Sequence, residues 1–270
     1  PAYLLDDPQA SLPVIEGLRS KGVYAAGGMR VTNPSVTWPN HTTLVTGVHP
    51  DEHGVLYNGV LERGGVGKPV RVVPDKLQHE LVQGPLLFDL FKSAGLSTAA
   101  INWPCTKGST SIDDNFPDAP GSIKAMTPRL KQALEARDLV TRFQRGGGPI
   151  HDEVWAEAAR DVILSQKPKF MALHFLNLDA THHRYGPKSA PGYTAVSLID
   201  AQLGRVVSAF DEAGIRDKTT IIVTADHGFI AVKKTIRPNV ILRREGFIDN
   251  KSEDITRARA FAVSEGGIAM

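Results

Sequence analysis

The chain has 270 residues, with 31 Lys and Arg against 29 Asp and Glu and a formal net charge of +2. So even a balance sets up no long-range field for a polyanion, and sequence-specific nucleic-acid binding is not expected. The single Cys105 excludes an internal disulfide and a Cys-based metal site, and no apolar run reaches the roughly 18–20 residues that span a bilayer.

The length suits one large α/β domain, with or without an insertion. Val14, Ile15 and Leu18 fall at helical spacing behind Asp7-Pro8, a helix start, and Gly22 closes the segment. Residues 23–26 read as a short strand, and 40–47 as a short helix behind Thr37. Leu86, Leu87, Leu90, Phe91 and Ala94 mark a helix that Gly95 ends, and 96–101 form an apolar strand running into Asn102-Trp103-Pro104. Residues 105–150 are rich in Gly, Pro, Asp and Lys, with one helix near 128–137, and read as a surface insertion or cap. Val154, Trp155, Ala158, Val162 and Ile163 give an amphipathic helix. The apolar run 170–176 reads as a strand buried on both faces, as in a parallel sheet. Pro191 opens the clearest helix, with Val196, Ile199, Leu203, Val206 and Phe210 on one stripe and Gly214 as its stop. Residues 219–224 are the next buried strand. Helices of this length between strands imply crossovers and a mostly parallel sheet sandwiched by helices.

Functional groups of open α/β sheets collect at the C-terminal ends of strands. Two Asp/His pairs are expected there. Asp179 and His183, in Asp179-x-x-x-His183-x-x-Gly186-Pro187, would share a face in one helical turn, with His182 as a rival ligand. Asp226 and His227, in Thr224-Ala225-Asp226-His227-Gly228, can share a metal only if the strand has ended before them. The third element is Thr37, in Thr37-Trp38-Pro39-Asn40-His41. A Thr hydroxyl is a poor nucleophile without a base or a metal, and its ordinary role here is that of an N-cap. Asn58 is a candidate donor to a phosphoryl oxygen or a plain turn residue. His41, His49, His53 and His79 read as packing and hydrogen-bonding groups, and His174 as a satisfied core histidine. Gly27-Gly28 and Gly146-Gly147-Gly148 lack phosphate-loop spacing. Trp38, Tyr57, Trp103 and Phe116 could stack on a base, with ordinary packing the stronger reading.

Thr37-Trp38-Pro39-Asn40-His41, Thr46-Gly47 and Pro50-x-x-His53-Gly54-x-x-x-Asn58, followed by the two Asp/His blocks, resemble type I phosphodiesterases/nucleotide pyrophosphatases of the alkaline phosphatase superfamily. The resemblance runs from 37 to 228 in order. It implies an alkaline phosphatase-like α/β fold and two divalent metal ions, Zn2+ foremost. One would be held by Asp226 and His227 and touch Thr37, the other by Asp179 and His183. It further implies a phosphothreonine intermediate on Thr37 and hydrolysis of a small-molecule phosphate ester, nucleotide-like or other organic diesters first. A phosphonate hydrolase, a phosphomonoesterase, or an inactive phosphate-ester-binding or partner-binding domain are the alternatives. The family pattern also carries an Asp on a first strand just before a segment like residues 1–4, and a His near the C-terminus. Neither is found here, so each metal is short of protein ligands. The expectation is a single domain over 1–270, lacking that first strand and a C-terminal segment. Export or a periplasmic location follows from the resemblance alone, since the N-terminus, without an initiator Met, carries no leader to read.

Overall fold

The computed structural model describes residues 5–251, 254–265, 268 and 269. Residues 1–4, which the resemblance sets behind a first strand, lie outside that range. The helices are α1 (Pro13–Arg19), α2 (Thr37–Thr46), α3 (Pro50–His53), α4 (Gln78–Leu81), α5 (Leu87–Ser93), α6 (Ser122–Ala125), α7 (Pro128–Glu135), α8 (Leu139–Arg145), α9 (Pro149–Ser165), α10 (Asn177–Tyr185), α11 (Ala190–Glu212) and α12 (Pro238–Arg244). The longer strands are β1 (Val60–Arg63), β2 (Val70–Val73), β3 (Thr98–Pro104), β4 (Asp114–Asp118), β5 (Phe170–Leu173), β6 (Ile248–Lys251) and β7 (Asp254–Ala258).

Three strands form the central parallel sheet in the order β4-β3-β5, with Ala99 opposite Asp114 and Met171. Side chains of a strand alternate between faces, and β3 divides its residues accordingly. Ala99 and Ile101 meet Leu130 and Leu134 of α7, Val154 and Val162 of α9, and Val206 and Ala209 of α11. Ala100 and Trp103 meet Val45 of α2 and Leu86 and Phe88 at the start of α5. Helices therefore cover both faces, the arrangement a parallel sheet requires. The hairpins β1-β2 and β6-β7 are antiparallel and lie outside this sheet.

Five expectations need correction. Helix α1 begins at Pro13, not behind Asp7-Pro8. Its first N–H groups are capped from another helix, Val14 N–H and Ile15 N–H both donating to the Asp200 carboxylate of α11 at 2.9 Å. Residues 23–26 form no strand, and Val23 is fully exposed. Residues 105–150 are not a surface insertion, because they supply the sheet strand β4 and, through Phe116, Leu130, Leu134 and Leu139, part of the largest core cluster. Residues 219–224 form neither helix nor strand, and Ile222 and Val223 are exposed. No described strand lies beside them to accept a ladder. Among the described residues strand β5, moreover, is paired on one side only, and it is half-buried rather than buried on both faces.

Candidate active site

Helix α2 starts where the peptide Val36-Thr37 leaves an extended conformation, so Val36 is the N-cap and Thr37 opens the first turn. The Thr37 hydroxyl is thus not the cap. The turn is held from outside instead: Asn58 Oδ1 accepts the Trp38 N–H at 2.8 Å. Asn40 pins the preceding loop, its Nδ2 donating to Pro34 O and Val36 O at 3.0 Å while its Oδ1 accepts Thr32 N–H at 2.9 Å. The two glycines of the motif end helices in the left-handed region, Gly47 at φ +74° and Gly54 at φ +79°, where a Cβ is strained. Buried His53 joins Thr43 Oγ1 through Nε2 and Val55 N–H through Nδ1, a structural role as expected.

Asp179 and His183 lie one turn apart on α10, with His183 Nε2 3.4 Å from Asp179 Oδ1. The N-terminus of α10 is capped by buried Asp152 of α9, which accepts Leu176 N–H at 2.9 Å and Asn177 N–H at 3.2 Å. Burial pushes the Asp152 carboxyl up to about 7 against the pull of those N–H donors. His182, the rival ligand, is buried and packs its ring against Phe229.

Asp226 and His227 come from the irregular segment after α11. Freed from strand geometry, both side chains reach the same place. His227 Nε2 stands 3.5 Å from Asp226 Oδ2 and 3.5 Å from Asp179 Oδ1. The two distant Asp/His pairs therefore meet. The backbone of Thr37 is tied to them through His41, whose Nδ1 is 2.9 Å from the Thr37 carbonyl oxygen and 3.5 Å from Asp226 Oδ2.

Three neighbours were not foreseen as site residues. His41 and His174 pack with their rings tilted by 59° at 4.3 Å between centroids, and one ligand atom from each lies within 4.8 Å of the other and of an Asp226 oxygen. Burial lowers His41 to about 4, and burial with the nearby His41 lowers His174 to about 3, so both rings are neutral at pH 7. The available signals were the four-residue spacing from Thr37 to His41 and the place of His174 just past the end of β5. The third is Phe229, whose ring packs at 4.9–5.3 Å against His182, His183 and His227. Of the aromatic candidates for base stacking, Trp38, Tyr57, Trp103 and Phe116 are all buried.

The donor set of carboxylate oxygens and imidazole nitrogens suits Zn2+. Two such atoms bound at 2.0–2.1 Å to a tetrahedral ion lie about 3.3 Å apart. The observed 3.4–3.5 Å spacings are close to that value. Asp179 Oδ1 is buried without a hydrogen-bond donor, and burial raises the Asp179 pKa. A carboxylate oxygen so placed between two imidazoles fits a cation.

The profile of the family described as type I phosphodiesterase/nucleotide pyrophosphatase matches residues 1–267. Human ectonucleotide pyrophosphatase/phosphodiesterase family member 1 is 24% identical over 222 residues, 80% of this chain and 21% of that protein. The venom phosphodiesterase of Macrovipera lebetinus is 24% identical over 227 residues, 84% of this chain and 24% of that protein. The chain thus spans about a quarter of the length of these relatives. Murine ectonucleotide pyrophosphatase/phosphodiesterase 5, solved as an inactive Thr→Ala form in complex with AMP, superposes with a TM-score of 0.54 at 17% identity, covering 77% of this chain and 50% of that one. The fold is the alkaline phosphatase-like α/β fold. Among the described residues no helix is long and apolar enough to cross a membrane.

Proposed function

This chain belongs to the type I phosphodiesterase/nucleotide pyrophosphatase family, and from that premise we propose that it hydrolyses phosphodiester bonds of nucleotide-like or other organic phosphate esters, with Thr37 as nucleophile. The observation that carries the proposal is the meeting of Asp179, His183, Asp226 and His227 within steps of 3.5 Å, with His41 linking that cluster to the main-chain carbonyl of Thr37. We read residues 1–270 as one catalytic unit.

Asp226 and His227 would hold one divalent metal ion, and Asp179 and His183 a second, with zinc the ion the donors suit best. Bound there, the ions supply positive charge that favours ionised oxygen and neutralises the phosphoryl group. Thr37 Oγ, its proton passed to solvent water, attacks phosphorus in line. The P–Oγ bond forms, the P–O bond to the alcohol or nucleotide breaks, and the leaving oxygen takes up a proton. Water then attacks the phosphothreonine ester, its oxygen stays on phosphorus, and the Thr37 hydroxyl is restored. Asn58, whose Oδ1 accepts Trp38 N–H at the start of α2, is assigned here as a donor to the phosphoryl oxygens, where a donor stabilises developing charge. The helix N-terminus at Thr37 favours the same anion.

Turnover of bis(p-nitrophenyl) phosphate by the zinc-loaded chain should exceed that of p-nitrophenyl phosphate and of phosphonoacetate. Thr37→Ala should lower it by roughly 10⁴-fold or more with zinc retained. Full activity in Thr37→Ala would remove the nucleophile assignment, and dominant monoester or phosphonate turnover would replace the substrate class.

A further inference from the structure

Residues 219–237 carry no helix or strand, yet they bring His227 Nε2 to 3.5 Å from Asp179 Oδ1. A strand fixes its side chains through its ladder, and a segment without one needs another anchor. Ile222, Val223, Ile230 and Val232 of this segment are exposed and supply none. Phe229 turns the other way. It is half-buried between exposed Gly228 and exposed Ile230, and its ring lies against three imidazoles.

The three contacts divide between two elements. His182 and His183 belong to α10 and meet the Phe229 ring at 5.1 and 4.9 Å between centroids, inclined at 75° and 82°. His227 belongs to the segment of Phe229 itself, at 5.3 Å and 60°. Edge-to-face packing of aromatic rings favours a particular angle, so it restrains the plane of a ring as well as its position. The contact with His182 is the footing. That ring is buried and fills the space a side chain at Gly192 of α11 would need, its Nε2 lying 2.9 Å from where the Cβ would stand. His183 and His227 are the working pair, each presenting Nε2 to the same Asp179 Oδ1, at 3.4 and 3.5 Å.

We propose that Phe229 is a positioning residue, whose ring sets the imidazole planes of His183 and His227 and docks the irregular segment on α10, so that both Nε2 atoms face Asp179. It makes and breaks no bond in the reaction. Rotating either imidazole about its Cβ–Cγ bond would carry Nε2 away from the carboxylate, and the ring face of Phe229 opposes that rotation. Outer partners commonly orient metal-binding imidazoles through hydrogen bonds; here ring packing does so. The inference rests on the metal-dependent reading above, and its readout is zinc affinity rather than turnover.

The test is zinc titration of the unaltered 270-residue chain, Phe229→Leu and Phe229→Tyr, under conditions where urea melts show all three folded. Leucine keeps apolar bulk and loses the ring, whereas tyrosine keeps the ring. Phe229→Leu should weaken zinc binding by roughly 10–100-fold, the loss expected for an outer partner, and Phe229→Tyr should stay close to the unaltered chain. Equal affinity in Phe229→Leu, or equal losses in both variants, would overturn this inference and leave the metal-dependent reading intact. No zinc bound by the unaltered chain would overturn both. A further measurement needs no variant: nuclear Overhauser contacts in the metal-free unaltered chain should join the Phe229 ring protons to imidazole C–H protons of both His183 and His227. Their absence from either histidine would overturn the assignment.

Discussion

Strand β3 and residues 219–224 are both short apolar runs that precede a functional residue, yet they end in opposite environments. Every residue of β3 is buried, whereas Ile222 and Val223 face solvent. The difference lies in their neighbours. Strand β3 has a ladder on each side and helices on each face, while 219–224 has no described strand to pair with. Burial of a strand is a property of the sheet it joins, not of its own hydropathy. The site inherits this asymmetry. Asp179 and His183 stand on a helix whose N-terminus is tied to α9, while Asp226 and His227 arrive on an irregular segment.

The largest expected effect strikes the packed side of the site. His41 and His174 are held neutral by burial, at about 4 and about 3, against an ordinary value of 6.5. The unfolded chain takes up protons below pH 6.5 that the folded chain refuses, so folding stability falls as pH drops through the window from about 6.5 to about 4. Asp226 faces both rings and softens this effect, while His227 adds to it. The loss should be on the order of 5 kcal/mol for the two rings together. Urea melts of the metal-free chain at pH 7.5, 6 and 4.5 would measure it. Equal midpoints at all three values would mean that the rings are not buried as neutral groups.

A pair of substitutions tests the contrast between the strands directly. Ile101→Ala removes a fully buried side chain between α7 and α9 and should cost about 2–4 kcal/mol. Ile222→Ala removes one that is 82% exposed and should change stability by less than about 0.5 kcal/mol. Comparable costs at the two positions would show that 219–224 is packed after all.

What could be read from the sequence follows the same division. Segments whose signals are local came through. Helices α5, α9 and α11 follow their apolar spacing, Gly95 and Gly214 end theirs at φ +72° and +68°, and Asp179 and His183 meet across one helical turn. Segments fixed by distant partners did not. The start of α1 is set by Asp200, 186 residues beyond Val14. Strand β4, Asp114-Asn115-Phe116-Pro117-Asp118, has the composition of a loop. It is held as a strand by side-chain bonds: Asn115 Nδ2 to Thr106 O at 2.7 Å, and Arg129 to the Asp114 carboxylate at 2.6 Å. His41 and His174 likewise carry only positional signals, because what brings them beside the site is Asp226, more than fifty residues past His174.

An effect on stability smaller than that of Ile101→Ala is also the most specific. Asp152 carries no chemistry of its own, but its carboxylate collects the Leu176 and Asn177 N–H groups that would otherwise be orphaned at the buried start of α10. Asp152→Ala should cost about 1–2 kcal/mol, the usual loss of a helix cap, and Asp152→Asn less, since an amide oxygen still accepts one N–H. The consequence for function should be larger than the consequence for the fold. Asp179 sits in the first turn of α10 and His183 one turn later, so freeing the helix start moves both relative to His227. Zinc affinity on that side should fall roughly tenfold in Asp152→Ala, as for other outer partners of a metal site, and recover in part in Asp152→Asn. Isothermal titration with zinc on the three proteins, at a urea concentration where all remain folded, separates the two effects. A stability loss with unchanged zinc binding would make Asp152 a cap and nothing more, and would detach the order of α10 from the site it carries.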